Sequence, residues 1–344
     1  MDAAPHTIEK TITLALQGGG THGAFTWGVL DRLLEEERLG IEGISATSAG
    51  AVNGALLVSG MARGGRAEAR ELLRRFWWHL ADSSRLSPLQ PTPLDRATTG
   101  WGLTYSPVYQ FGETMARLFS PSQINPLDIN PLRAVLRAVI DYDAVRHYAP
   151  IKLFVSATNV RTGKVRIFSP EEVTEDVLLA SSCLPHLFPA VEIGGEHYWD
   201  GGYVANPAIY PLMRHCDSTE VVIVQVNPIG VRELPDTADA ILHRINEISF
   251  NASVMREMHA LAFITRLVDK GWIDRGAGVR RTHIHMIQDE ALMAGLHASS
   301  KFNAEEAFLD LLFKAGRARA EEWLEAHWEA VGRTSTIDVS EVYL

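Results

Sequence analysis

Residues 41–58 read IEGISATSAGAVNGALLV and place a serine where a short apolar strand gives way to a helix. Ile41 to Ala46 fits a strand, while Ala, Val and Leu recur at helical spacing from Ala49 to Val58. A sharp strand-to-helix turn projects its central side chain out of the sheet, and the new helix aims unpaired N–H groups at it. That hydroxyl is held still beside the positive end of a helix dipole, which makes Ser48 the candidate nucleophile. The arms of such a turn approach each other two residues before and two after the serine, here at Ala46 and Gly50. The usual pattern is G-x-S-x-G, so Ala46 departs from it by one methyl group. Taken alone, the stretch reads equally well as a serine capping the helix from Ala49.

The rest of the chain narrows the choice. With 344 residues, 46% hydrophobic and 22% charged, it is long enough to bury roughly three-quarters of its unfolded surface in one elaborated domain or two. A formal charge of −10 argues against nucleic-acid partners and against constitutive electrostatic docking on anionic lipid. Two cysteines, Cys183 and Cys216, make no disulfide framework. The N-terminal MDAAPHTIEK lacks the apolar run of an export signal, and no segment approaches eighteen consecutive apolar residues. The expectation is a cytoplasmic protein of unknown oligomeric state.

Thr11 to Leu16, TITLAL, reads as a buried strand, and it runs directly into Gly18-Gly19-Gly20-Thr21-His22-Gly23. A helix follows from about Ala24 to Glu37. A strand feeding a glycine loop at a helix N-terminus is suited to holding negative charge on converging N–H groups. Two functions compete for it. As G-x-G-x-x-G it matches a dinucleotide fingerprint, which requires an acid at the end of the second strand to hold a ribose. Glu42 begins that strand, and its end holds Thr47 and Ser48 instead. The alternative is an oxyanion hole facing Ser48, in which each donor contributes about a hundredfold or more in rate.

Downstream, Met61 to Leu80 carries Arg63, Arg66, Arg70, Arg74 and Arg75 and reads chiefly as a solvated helix face, with membrane or partner contact as the minority reading. Ser83 to Pro107 reads as a long loop suited to a lid or substrate collar. Helices are expected near Val108 to Phe119 and Pro131 to Ile140, strands at Ile151 to Thr158 and Lys164 to Ser169, and a short helix at Thr174 to Ser182. A hairpin turning at Gly194-Gly195 delivers Asp200-Gly201-Gly202 to a strand end, where the bland reading of the aspartate is an Asx-turn.

Residues 11–212 resemble the patatin-like phospholipase family on three motifs in order: the glycine loop Gly18 to Gly23, the elbow Ser48-Ala49-Gly50, and Asp200-Gly201-Gly202. Ser181-Ser182 with Pro185, Phe188 and Pro189 resembles the segment that precedes the last motif. The resemblance implies a three-layer α/β/α fold with a mainly parallel sheet. It also implies a Ser48–Asp200 dyad, an oxyanion hole from Gly18, Gly19, Gly20 and Gly23, support from Ala46, Gly50, Gly201, Gly202 and His22, and lipid acyl esters as substrates. His22 stands where many members carry Arg or Lys, so its expected role is structural or electrostatic. No metal or other cofactor is required: a carboxylate within reach of Ser48 takes its proton, and burial strengthens that weak base. Thioesters, polyesters and other acyl esters would suit the same dyad. A nucleotide-binding protein and a lipid-binding protein with a disabled site are the readings from other classes. Transient contact with a membrane surface is compatible with the lipid reading.

Residues 213–344 are expected to pack on this unit as a strand, Val221 to Val226, and a mainly helical extension. The stripe Ile241, Ile245, Ile248, Met255, Met258 and Ala262 reads as core packing. His283 and His285 share one face of a strand, with no acidic partner nearby in sequence to complete a metal site. Phe302 to Val331 reads as a charged amphipathic helix.

Overall fold

The TITLAL run becomes the middle of β1 (Lys10–Leu16), and the loop after it opens α1 (Gly23–Glu35). β2 (Leu39–Thr47) follows, and Ser48 alone separates it from α2 (Ala49–Arg85). Next come α3 (Pro93–Thr98), α4 (Pro107–Leu118), α5 (Pro121–Ile124), α6 (Pro131–Val139) and α7 (Tyr142–His147). The chain returns to the sheet with β3 (Lys152–Asn159) and β4 (Val165–Phe168), then α8 (Glu175–Ser181), β5 (Val191–Ile193) and β6 (Glu196–Asp200). It continues through α9 (Tyr210–His215), β7 (Glu220–Val224), α10 (Ala238–Asp269) and β8 (His283–Ile287). The last helices are α11 (Glu290–Ala294), α12 (Glu306–His327) and α13 (Val339–Tyr343). This computed structural model describes residues 7–85, 87–231, 234–272 and 280–343. Residues 1–6, part of the stretch read above as no export signal, lie outside the described residues.

The sheet runs β5-β6-β3-β2-β1-β7-β8, with β4 also paired to β3. From β3 to β8 all neighbours are parallel, and the pairs made by β4, β5 and β6 are antiparallel. Strand alternation divides the core in two. Leu14, Leu16, Ile44, Ala46 and Leu153 face a cluster shared with α1, α2 and α12, whereas Ala15, Phe154, Val221 and Ile223 face one shared with α9, α10 and α13. Burial on both faces is what a parallel sheet needs; the result is an α/β/α sandwich. β7 and β8 extend the same sheet beyond β1, so the residues after 212 share its core.

Four expectations change. The arginine segment is the second half of α2, turned back at Gly64-Gly65, where Gly65 has φ 74°. Its inner face is not solvated: Arg66 donates to the carbonyls of Leu34, Glu36 and Leu39, and Arg70 forks Asp31 at 2.8 and 3.2 Å. The long loop contains α3, which Thr92 and Asp95 cap reciprocally. The α10 stripe enters the core only in its second half: Met258 is buried, but Ile241, Ile245 and Ile248 are exposed, because this end of the helix lies beyond the sheet's apolar face. Finally, the histidine pair does have an acidic neighbour. Glu220 begins β7 beside β8 and meets His283 Nδ1 at 2.7 Å and His285 Nε2 at 3.0 Å.

Candidate active site

The turn at Ser48 is built by the strand before it and the residues behind it. β2 keeps regular pairing up to its last residues, Ala46 opposite Leu16 and Val155, Thr47 opposite Ser156. Ala46 is fully buried and leaves the strand undisturbed. Ser48 then takes φ 54°, a strained value of about 1–3 kcal/mol for a side-chain-bearing residue, sustained only where the surroundings fix it. Here they do so through the Ser48 N–H, which donates to Ser181 Oγ at 2.8 Å, while Ser181 in turn donates to Ser156 O at 2.7 Å. The close approach expected between Ala46 and Gly50 occurs elsewhere. A Cβ on Gly50 would meet Leu16 O at 2.4 Å and Gln17 O at 2.7 Å, so the elbow is pressed against the end of β1.

Asp200 arrives on the other side of β3. Its N–H donates to Cys183 O at 2.8 Å and its carbonyl accepts from Thr158 Oγ1 at 2.7 Å, fixing the end of β6. The carboxylate accepts the Gly202 N–H at 2.7 Å and lies near enough to the Ser48 hydroxyl for that group to lower its pKa. It is 3% exposed. Burial raises its pKa to about 6, against the opposing pull of the Gly202 N–H, the Ser48 hydroxyl and the charge of Lys301. An aspartate so placed is a far better proton acceptor than one in water.

The glycine loop lies against Ser48: a Cβ on Gly18 would stand 2.7 Å from Ser48 Cβ. Its four glycines have different duties. The Gly18 N–H donates to Asn206 Oδ1 at 2.7 Å, and the Gly23 N–H turns back to the carbonyls of Gly20 and Thr21. Two of the four N–H groups expected in an oxyanion hole are therefore committed elsewhere. Those of Gly19 and Gly20 have no hydrogen-bond partner among the described residues. Gly20 has φ 60°, which favours glycine. His22 is buried; its Nε2 lies 2.8 Å from Ser300 Oγ, and burial, assisted by Lys301, pushes its pKa well below the usual histidine value. It is uncharged at neutral pH, and its contact with Ser300 ties the loop to the turn Ala298–Phe302.

Several residues at the site carry no sequence signal of their own. Asn206 and Asn227 hold Gly18 from two sides, Asn227 Nδ2 donating to Gly18 O at 2.7 Å. Lys301 donates to Asn227 Oδ1 at 2.9 Å. Their only possible signal is burial of a polar residue among loops, which requires the fold to be known. Gly201 and Gly202 lie directly after the carboxylate, as expected. His186 is exposed, and the Cys183 thiol, pushed up to about 12 by burial and by Asp200, is inert. Glu220, His283 and His285 lie at the N-terminal ends of β7 and β8, opposite the end from which Ser48 projects, and no group of three or more candidate ligands among the described residues suits a metal ion. A groove of about 690 Å³, lined by residues including Trp78, Arg85, Gln90, Glu305 and Asp310, shares no residue with the site; chemistry, and not the size of a hollow, locates it.

A sequence profile described as Patatin-like phospholipase matches residues 14–213. Comparison with curated proteins finds no match. Among solved structures, VipD from Legionella pneumophila aligns at 15% identity over 94% of this chain and 68% of that one, with a TM-score of 0.38. The ExoU–SpcU complex from the type III secretion system of Pseudomonas aeruginosa aligns at 17% identity over 94% of this chain, with a TM-score of 0.34, and this chain spans 52% of that one. No helix among the described residues is long and apolar enough to cross a membrane. The profile runs from within β1 into α9, more than half of the 344 residues, and contains the glycine loop, the elbow and Asp200: the chain belongs to the patatin-like phospholipase family.

Proposed function

We propose that this protein hydrolyses lipid acyl esters, phospholipid or lysophospholipid, through an acyl-enzyme formed on Ser48 with Asp200 as the base. The observation that carries the reading is a buried carboxylate, its pKa raised to about 6, placed one strand away from the strained turn at Ser48 and acted on by the Ser48 hydroxyl. Asp200 takes the hydroxyl proton as Ser48 Oγ bonds to the ester carbonyl carbon, and the carbonyl oxygen becomes an oxyanion facing the Gly19 and Gly20 N–H groups. Collapse breaks the ester C–O bond, and the leaving alkoxide takes the proton from Asp200. Water then attacks the acyl-enzyme, giving its proton to Asp200, and Ser48 regains a proton as the fatty acid leaves.

No step needs a metal, because the base and the oxyanion donors belong to the chain itself. Exposed Phe111, Leu118, Leu127 and Ile129, in and after α4, support transient contact with a lipid surface. The test is turnover of purified protein on short-chain esters, lysophospholipid, phospholipid and acyl thioester. Release of fatty acid from a lipid ester by native protein but not by Ser48→Ala supports the proposal. Absence of hydrolysis on every ester overturns it in favour of a lipid-binding protein.

A further inference from the structure

A site that develops an oxyanion gains from a fixed positive charge nearby, and neutral His22 does not supply one. Among charged groups, Lys301 acts electrostatically on both Asp200 and His22. It sits in the single turn Ala298–Phe302, which folds over the glycine loop. Thr21 Oγ1 donates to Ser300 O at 2.8 Å, and a Cβ on Gly20 would meet Lys301 O at 2.5 Å. The Lys301 ammonium donates to Asn227 Oδ1, and the amide of Asn227 donates to Gly18 O. The same ammonium lies 5.9 Å from the centroid of Phe250, whose ring packs against Gly202 beside the base. One turn thus touches the loop with its backbone and reaches the loop's first glycine through its side chain.

We propose that Lys301 is a positioning residue for the hydrolysis: through Asn227 it fixes the Gly18 carbonyl, and with it the direction of the Gly19 and Gly20 N–H groups. Its charge also acts on Asp200, in the direction that favours the ionised carboxylate. The inference rests on the Ser48–Asp200 reading. The groups that face Lys301 are Asp200 from β6, Glu247 from α10 and His22 from the loop. Burial lowers the pKa of Lys301, and the two carboxylates oppose that shift. A clamp that was only structural would need the hydrogen bond to Asn227 but not the charge, and the pH dependence of catalysis separates the two.

The experiment measures kcat and KM across the acid limb for Lys301→Met, Lys301→Arg and Ser48→Ala on a soluble short-chain ester, with thermal unfolding in parallel. Lys301→Met is expected to lower kcat by about tenfold with little change in KM and to move the acid limb up by about half a pH unit or more, because Asp200 loses the charge that favours ionisation. Lys301→Arg should keep the native limb. Should Lys301→Met fail to fold, Lys301→Gln, which retains a donor for Asn227, carries the same expectation for the limb. A native limb in the neutral variant, with kcat unchanged or falling only in step with thermal stability, overturns the inference while leaving the dyad intact, provided Ser48→Ala is dead. Hydrolysis retained by Ser48→Ala overturns the dyad reading itself, and this inference with it.

Discussion

Asp200 at the end of β6 lies across the intervening strand β3 from Ser48 at the end of β2, near enough for the Ser48 hydroxyl to lower the pKa of its carboxyl. Among the described residues, the groups that act on this carboxylate are the Gly202 N–H, the Ser48 hydroxyl and Lys301, and none is a histidine. On the proposed mechanism the two charge states of Asp200 act on both catalysis and folding, with opposite signs.

Catalysis needs the ionised form, so kcat/KM should fall as pH drops through about 6, the value to which burial raises Asp200. Folding favours the neutral form. A carboxyl whose folded pKa exceeds its ordinary 3.8 contributes stability that is complete below that value and is lost as pH rises through about 6. Asp200→Asn, which removes the buried charge, should abolish hydrolysis yet stabilise the protein at pH 8 by about 1–3 kcal/mol. Thermal unfolding at pH 8 checks this; a lower melting temperature than native contradicts it.

The glycine loop should serve developing negative charge and not a resting nucleotide. Gly20→Ala forces a Cβ onto Lys301 O in a backbone conformation at φ 60°, and Gly19→Ala meets Val226 Cγ2 at 2.9 Å. Each should lower kcat by about a hundredfold with a smaller rise in KM, since the interaction matures only in the transition state. Calorimetry should show no binding of NAD or ATP, because β2 ends in Thr47 and lacks an acid for a ribose. Saturable micromolar binding abolished by Gly20→Ala would promote the nucleotide reading.

Hydrolysis should survive excess EDTA without added calcium. The pair His283 and His285 instead clamps Glu220: burial pushes that carboxylate up, but hydrogen bonds from His285, the Gly332 N–H and His283 hold it down at about 2. Its stabilising effect is present above the ordinary 4.5 and is lost as pH falls towards 2. Glu220→Gln should lower stability by about 1–3 kcal/mol and leave kcat within about twofold of native, because this buried cluster lies towards the end of the sheet opposite Ser48. Activity lost on chelation and restored by zinc would revive a metal role for this cluster.

Ser48, Asp200 and the glycine loop were legible in the sequence because each is a local device: a turn, a strand end, or a backbone that side chains would obstruct. Strands such as TITLAL were legible because burial on both faces leaves a continuous apolar run. The rest depended on partners distant in sequence. The commitment of the Gly18 N–H required Asn206, and the inner contacts of Arg66 and Arg70 required α1 to lie beside α2. Glu220 met His283 only through strand pairing, and the exposure of Ile245 and Ile248 followed from where α10 leaves the sheet. Helical spacing marks an apolar face but not what covers it.

In the proposed mechanism Ser48 attacks and Asp200 alone takes its proton. The most direct measurement is the rate and site of reaction with an active-site phosphonate ester, mapped by peptide mass spectrometry in native protein, Ser48→Ala, Asp200→Ala and the double variant, with ester turnover alongside. A single adduct on Ser48 is expected, absent in Ser48→Ala and slowed by about a thousandfold or more in Asp200→Ala, with the double variant scarcely worse than either single one in turnover because the pair acts as a unit. An adduct on another residue, or native labelling in Asp200→Ala, would contradict the account.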